Sequence, residues 1–225
     1  MKLLRVIQYA GYVLFHWGIR VGFYTLWHEL RGELKYKIHT SGFKTLTSRW
    51  IKGSQLEHAT EYMPVNYALL EELLQTLPAT TKQGTFVDIG CGKGRALCVA
   101  ASFGFRKVCG FDFDQELVTV AEKNLAATQQ RFPGLEYAIT WSDLAEWKMT
   151  DDVSVIFLFN PFDHSMMQLL AQKIKAGLSA TPRTIWVIYA SPRFAEVFLS
   201  AGFVPVSTTK KAGFIEGLIL KSEPT

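Results

Sequence analysis

The chain has 225 residues, 48% of them hydrophobic and 20% charged, and a formal net charge of +4. Domains usually run to roughly 100–200 residues, so the length suits one domain with an appendage rather than two full domains. This is the composition of a folded globular protein, which excludes a disordered or collagen-like chain; Cys91, Cys98 and Cys109, odd in number and with no C-x-x-C pair, exclude a closed disulfide set and a zinc ribbon and suit a reducing compartment.

The charge is uneven. The first sixty residues hold nine Lys or Arg and three acidic residues, and the remaining 165 hold 15 basic and 17 acidic side chains. The larger part is therefore not a basic nucleic-acid binder, and nucleic acid is not an expected partner. At the basic end, residues 6–27 form an apolar, aromatic run that is not uniform. At roughly 100° per residue, Arg5, Gln8, Tyr9, Tyr12, His16 and Arg20 share an arc of about 120°, so residues 1–30 read as an amphipathic helix with a broad apolar face. His16, Arg20 and the lack of a small-residue cleavage site disfavour a secretory signal. Three placements stay open: a helix on or anchored to a membrane surface, a helix packed on the protein's own core, and a spanning segment. The first puts the protein in the cytoplasm, peripheral to the inner face of the cell membrane.

Through residues 31–60 periodicity fades while Gly, Ser, Thr and Lys accumulate, which predicts a connector with little regular structure, followed by a domain over 61–225. Residues 64–77 carry Tyr67, Leu69, Leu70, Leu73, Leu74 and Leu77 at helical spacing, with Pro64 expected in the first turn. Strands are predicted at 85–89, 107–111, 135–140, 154–159, 184–189, 203–207 and 214–221. Helices are predicted at 95–103, 115–130, 165–178 and 193–201, with a short turn near Leu144. This alternation predicts an α/β fold with a doubly wound, mostly parallel sheet of seven strands. The short link between the last two strands makes them an antiparallel terminal hairpin.

Ligands bind such sheets at the carboxyl ends of the strands. The first strand runs into Val87-Asp88-Ile89-Gly90-Cys91-Gly92-Lys93-Gly94-Arg95, a turn whose glycines let a ligand approach main-chain N–H groups. Asp88 precedes the first glycine, where an acid suits a cationic ligand, and Asp112 ends the next strand at the spacing of a ribose-binding carboxylate. Read without a ligand, Asp88 caps the turn and Asp143, in Trp141-Ser142-Asp143-Leu144, caps a helix. Over residues 62–221 these features resemble the class I S-adenosylmethionine-dependent methyltransferases, with their acidic residue before G-x-G-x-G and their Rossmann-like seven-stranded sheet. The resemblance implies S-adenosylmethionine as cofactor. It also implies that Asp88, Gly90, Gly92 and Gly94 lie against its methionine and ribose, that Asp112 binds the ribose, that Phe113 packs on the adenine and that Asp143 accepts from the adenine amino group.

The fourth strand ends in Phe159-Asn160-Pro161-Phe162-Asp163, similar to the Asn/Asp-Pro-Pro-Tyr/Phe motif of methyltransferases acting on nitrogen, without the second proline. An Asn carbonyl and the next backbone carbonyl can accept from a nitrogen while an aromatic ring packs beside it, which makes Asn160, Pro161 and Phe162 candidate catalytic residues; the plain alternative is a turn out of the strand, with Asp163 capping the next helix. With Glu61-Tyr62-Met63-Pro64, these segments resemble a group of bacterial methyltransferase-like proteins. More distantly they resemble mitochondrial lysine methyltransferases related to the enzyme of the ATP synthase c subunit, which implies that Tyr62 touches cofactor or substrate amine. Glu61, Tyr62, Asp163 and His164 are candidates to take a proton, with His164 equally readable as a solvated first-turn residue. No metal-ligand spacing appears among the five His and three Cys. The expected activity is N-methylation of a lysine on a membrane-associated protein. A small-molecule or lipid acceptor, or a cofactor-binding module without catalysis, are the alternatives.

Overall fold

Seven strands assemble into one sheet in the computed structural model, which describes residues 11, 19–42, 62–211 and 215–223. They are β1 (Thr85–Ile89), β2 (Lys107–Asp112), β3 (Glu136–Trp141), β4 (Val153–Phe159), β5 (Trp186–Ala190), β6 (Phe203–Lys211) and β7 (Ile215–Ser222), in the order β3-β2-β1-β4-β5-β7-β6. The first five are parallel; β7 runs antiparallel between β5 and β6. The doubly wound sheet and its antiparallel end therefore match the expectation, and the strand order reverses between β1 and β4, where such sheets open a ligand crevice.

Helices α1 (Ile19–Tyr36), α2 (Tyr67–Thr76), α3 (Arg95–Ser102), α4 (Gln115–Arg131), α5 (His164–Ala180) and α6 (Ala195–Ser200) surround it. All five residues of β1 are buried, as in a strand covered on both faces. Its alternation divides the core in two. Phe86 joins Phe157, Leu70, Leu73, Leu97 and Leu125 on one face of the sheet, while Val87 and Ile89 join Leu158, Met167, Leu170, Ile174 and Phe198 on the other. Helix α2 begins later than expected. Asn66 Oδ1 accepts from the backbone N–H groups of Ala68 (2.9 Å) and Leu69 (3.3 Å), so this cap sets the start and Pro64 stands ahead of the helix.

The N-terminal portion differs most from the sequence reading. The helix does not stop at residue 30 but continues through 31–36; residues 37–42 beyond it have no regular structure, as expected of the connector, but lie packed on the domain. Ile38 and Thr40 are buried, and the His39 N–H donates to Asn124 Oδ1 at 3.1 Å. Polar groups hold this region, so hydrophobic periodicity faded where the packing did not. Arg5, Gln8, Tyr9, Tyr12, His16 and the segment 43–61, with Glu61, lie outside the described residues. Among the described residues no helix is long and apolar enough to cross a membrane.

Candidate active site

Where β1 and β4 part, a cleft opens above their carboxyl ends; with the solvent at its mouth it encloses about 680 Å³. The turn from β1 into α3 forms its floor. Gly90, Gly92 and Gly94 have φ of 75°, 52° and 77°, in the left-handed region that favours glycine. The N–H groups of Gly90 and Cys91 both donate to the Phe111 carbonyl, which ties the turn to β2. At Gly92 a Cβ would also lie 2.3 Å from the ring of Tyr62, so a larger residue would collide with the wall as well as strain the turn.

Three acids line the cleft, Asp88, Asp112 and Asp114. Asp112 Oδ2 accepts from the Gly92 N–H (2.8 Å) and Oδ1 from the Asp114 N–H (2.9 Å), so this carboxylate pins the glycine turn to the end of β2. Asp114 caps α4, accepting from the N–H groups of Glu116 and Leu117. Asp88 is 4% exposed, and burial, followed by the neighbouring Asp112 carboxylate, pushes its pKa well above the usual carboxylate range. A buried acid whose surroundings raise its pKa is a site prepared for a cationic ligand. A sulfonium cofactor fits this carboxylate and the glycine floor, with Phe113 and Leu117 on the α4 side as an apolar surface.

The opposite wall comes from β4 and the strand-like approach to α2. Phe157 and Phe159, two residues apart and so on one face of β4, line the cleft with Pro161, Tyr62, Met63, Pro64 and Val65. Asn160 stands between Phe159 and Pro161 with φ of 43°, is not itself among the residues that line the cleft, and has its Oδ1 buried. Tyr62 Oη donates to the Thr40 carbonyl (2.7 Å), and its ring lies 4.8 Å below the Lys93 ammonium. Burial pushes its pKa well up, so the phenol stays protonated at neutral pH.

Arg95, at the first position of α3, also reaches the cleft, and its guanidinium is 3% exposed. It forms a bidentate pair with Glu29 of α1 (2.6 and 2.7 Å), donates to Thr40 Oγ1 and the Val65 carbonyl, and stacks 3.9 Å over the Tyr67 ring. Lys93 Nζ donates to the Ser41 carbonyl (2.9 Å). The glycine turn is therefore clasped from behind by α1 and residues 40–41.

Several sequence candidates take other positions. Asp143 is absent from the cleft wall; its Oδ1 accepts from the Glu146 N–H (3.1 Å), capping a turn. Phe162 is 2% exposed and belongs to the core cluster of Met167 and Leu170, so the β4 rings at the cleft are those of Phe157 and Phe159 instead. Asp163 caps α5 through Met166 N–H, and His164 is an exposed side chain 3.8 Å from Glu196, so neither reaches the cleft. Sequence reading missed Phe157, Phe159 and Arg95. The period of two along β4 was a signal for the phenylalanines, whereas Arg95 depends on Glu29, 66 residues away, and had none. Among the described residues no cluster of His, Cys, Asp or Glu could hold a metal.

Residues 86–179 match the family model of a methyltransferase domain. No curated protein matches the chain. Among solved structures, a candidate RNA methyltransferase of Pyrococcus horikoshii is 18% identical with a TM-score of 0.55, over 86% of this chain and 97% of its own. A ribosomal protein L11 methylase of Lactobacillus delbrueckii is 20% identical, with a TM-score of 0.51 over 73% and 91%. The 1,6-didemethyltoxoflavin-N1-methyltransferase of Burkholderia thailandensis, with bound S-adenosylhomocysteine, is 18% identical with a TM-score of 0.51 over 70% and 79%. These three share the fold. Residues 86–179 therefore carry a methyltransferase domain, with S-adenosylmethionine as its cofactor.

Proposed function

We propose that this S-adenosylmethionine-dependent methyltransferase methylates a nitrogen, the side-chain amine of a lysine on a membrane-associated protein. The observation that carries the reading is the character of the cleft: its acids are Asp88, Asp112 and Asp114, its walls are Phe157, Phe159, Tyr62 and Pro161, and its cation Arg95 is neutralised by Glu29. Such a surface suits a cationic cofactor and an amine and offers nothing to a phosphate backbone.

When bound, the cofactor supplies an electrophilic methyl group, so the protein's task is chiefly alignment. Gly90, Gly92 and Gly94 hold its methionine and ribose, Asp112 the ribose and Phe113 the adenine, while Asp88 faces its positive charge. Asn160 and the backbone carbonyl beside it accept from the incoming amine, and Pro161 keeps that turn rigid. A lysine amine has a reference pKa of about 10.4 and must be neutral to react. The aromatic walls favour the neutral form by withholding water. Tyr62, protonated and donating to Thr40, serves as wall rather than base.

The test is to supply methyl-labelled cofactor to the protein with fractionated lysate. Label on membrane-fraction protein, released as N-methyllysine on hydrolysis and lost with Asn160→Ala, is expected. Label in RNA, lipid or a small molecule, or cofactor binding without any transfer, would overturn the reading.

A further inference from the structure

Helix α1 presents its apolar side chains outward and its buried contacts are largely polar. Phe23, Trp27, Leu30 and Leu34 are 66%, 67%, 41% and 78% exposed. Their spacing of four, three and four residues confines them to an arc of about 60° at roughly 100° per residue. On the far side Thr25, Glu29 and Tyr36 are buried. Glu29 meets Arg95, and Tyr36 Oη donates to Glu71 (2.7 Å). Gly32 lies so close to Tyr67 that a Cβ there would fall 2.2 Å from its ring, which fixes this face of α1 against α2. A helix that docks on its own domain alone would be turned the other way.

We propose that this stripe rests in the headgroup region of an anionic lipid bilayer, with α1 lying in the plane of the interface. Charge favours that occupant. Both acids of α1 are turned toward the domain, Glu29 on Arg95 and Glu33 on the N–H groups of Thr40 and Ser41. Arg31 and Lys35, on one flank of the stripe, keep 42% and 44% of their side chains exposed even while paired with Glu71, and Lys37 is exposed at the helix end. The sequence around the stripe supports the same partner: residues 6–22 continue the apolar run, and the first sixty residues carry nine basic side chains against three acidic. Trp and Phe beside Lys and Arg are the side chains that suit the boundary between headgroups and acyl chains. A second copy of the stripe is the poorer partner, because it offers these cations no acid.

The proposal deepens the functional reading by bringing the cleft to membrane proteins, but vesicle binding is measured without methyl transfer, so either can fail alone. The full chain is sedimented with vesicles of phosphatidylcholine containing phosphatidylserine, and with phosphatidylcholine alone. Binding to the anionic vesicles is expected, several-fold weaker on neutral vesicles or at high salt. The double variant Trp27→Ser with Leu34→Ser, with unchanged affinity for S-adenosylhomocysteine as its folding control, should lose about tenfold or more of that binding. Three results would overturn the proposal: no binding by the wild type, equal binding by the variant, or a dimer in light scattering that the same substitutions dissolve while vesicles are ignored. A fourth is a loss of thermal stability in the variant with no vesicle binding by either protein, which would assign the stripe to the chain's own remaining residues.

Discussion

At the carboxyl end of β4 two phenylalanines three residues apart do different work. Phe162 fills core and Phe159 lines the cleft. Phe162→Ala should therefore lower unfolding free energy by about 3–5 kcal/mol, the usual effect of emptying a buried phenylalanine site, with little change in cofactor affinity where the protein remains folded. Phe159→Ala should do the reverse, which denaturation and calorimetry on the two variants will show. Asp88 supplies a pH test. Its folded-state pKa is raised, so between about pH 4, where the unfolded carboxyl ionises, and that higher value the folded state retains a proton that the unfolded chain has lost, and ligand-free stability falls as pH rises. Asp88→Asn should flatten that fall in urea denaturation series. It should also weaken S-adenosylmethionine, which is cationic at sulfur, more than S-adenosylhomocysteine, which is not. A variant with the wild-type pH slope and an unchanged ratio of affinities would remove Asp88 from both roles.

Among the elements, α1 carries the clearest consequence. A deletion of residues 1–30, which the sequence reading treats as separable from the domain, removes Glu29 and leaves the Arg95 guanidinium buried beside the glycine turn. Breaking one side of a buried ion pair costs about 3–5 kcal/mol, so Glu29→Gln and the deletion should both destabilise the fold by amounts of that order and weaken cofactor binding. A deletion protein as stable as the full chain, measured by chemical denaturation, would show that α1 is an appendage after all. The strands and α3 to α6 were legible because burial on one or both faces leaves its period in the sequence, and five parallel strands leave apolar runs such as Val155 to Phe159. The packing of residues 31–42 was not, because Tyr36, Thr40 and Ser41 are held by hydrogen bonds to Glu71, Arg95 and Glu33, and polar pairs over such distances leave no period.

For the whole molecule, the sheet's switch point places the acid-lined cleft and α1 clasps its glycine turn from behind, so one buried ion pair joins the proposed lipid-facing helix to the floor of the cofactor site. The glycine turn and Asp112 were legible as strand-end residues, and they meet at the cleft through the Gly92 N–H bond to Asp112. Asp143 and Phe162 misled because a local motif does not say which way a side chain turns once the core is packed. The account rests on the cleft being built for a sulfonium nucleoside, and calorimetry on the full chain measures this directly. It predicts saturable one-to-one binding of S-adenosylmethionine and S-adenosylhomocysteine, lost in Gly92→Val, with no heat from NAD. Tight binding of NAD, or no binding of either sulfur nucleoside, would contradict it.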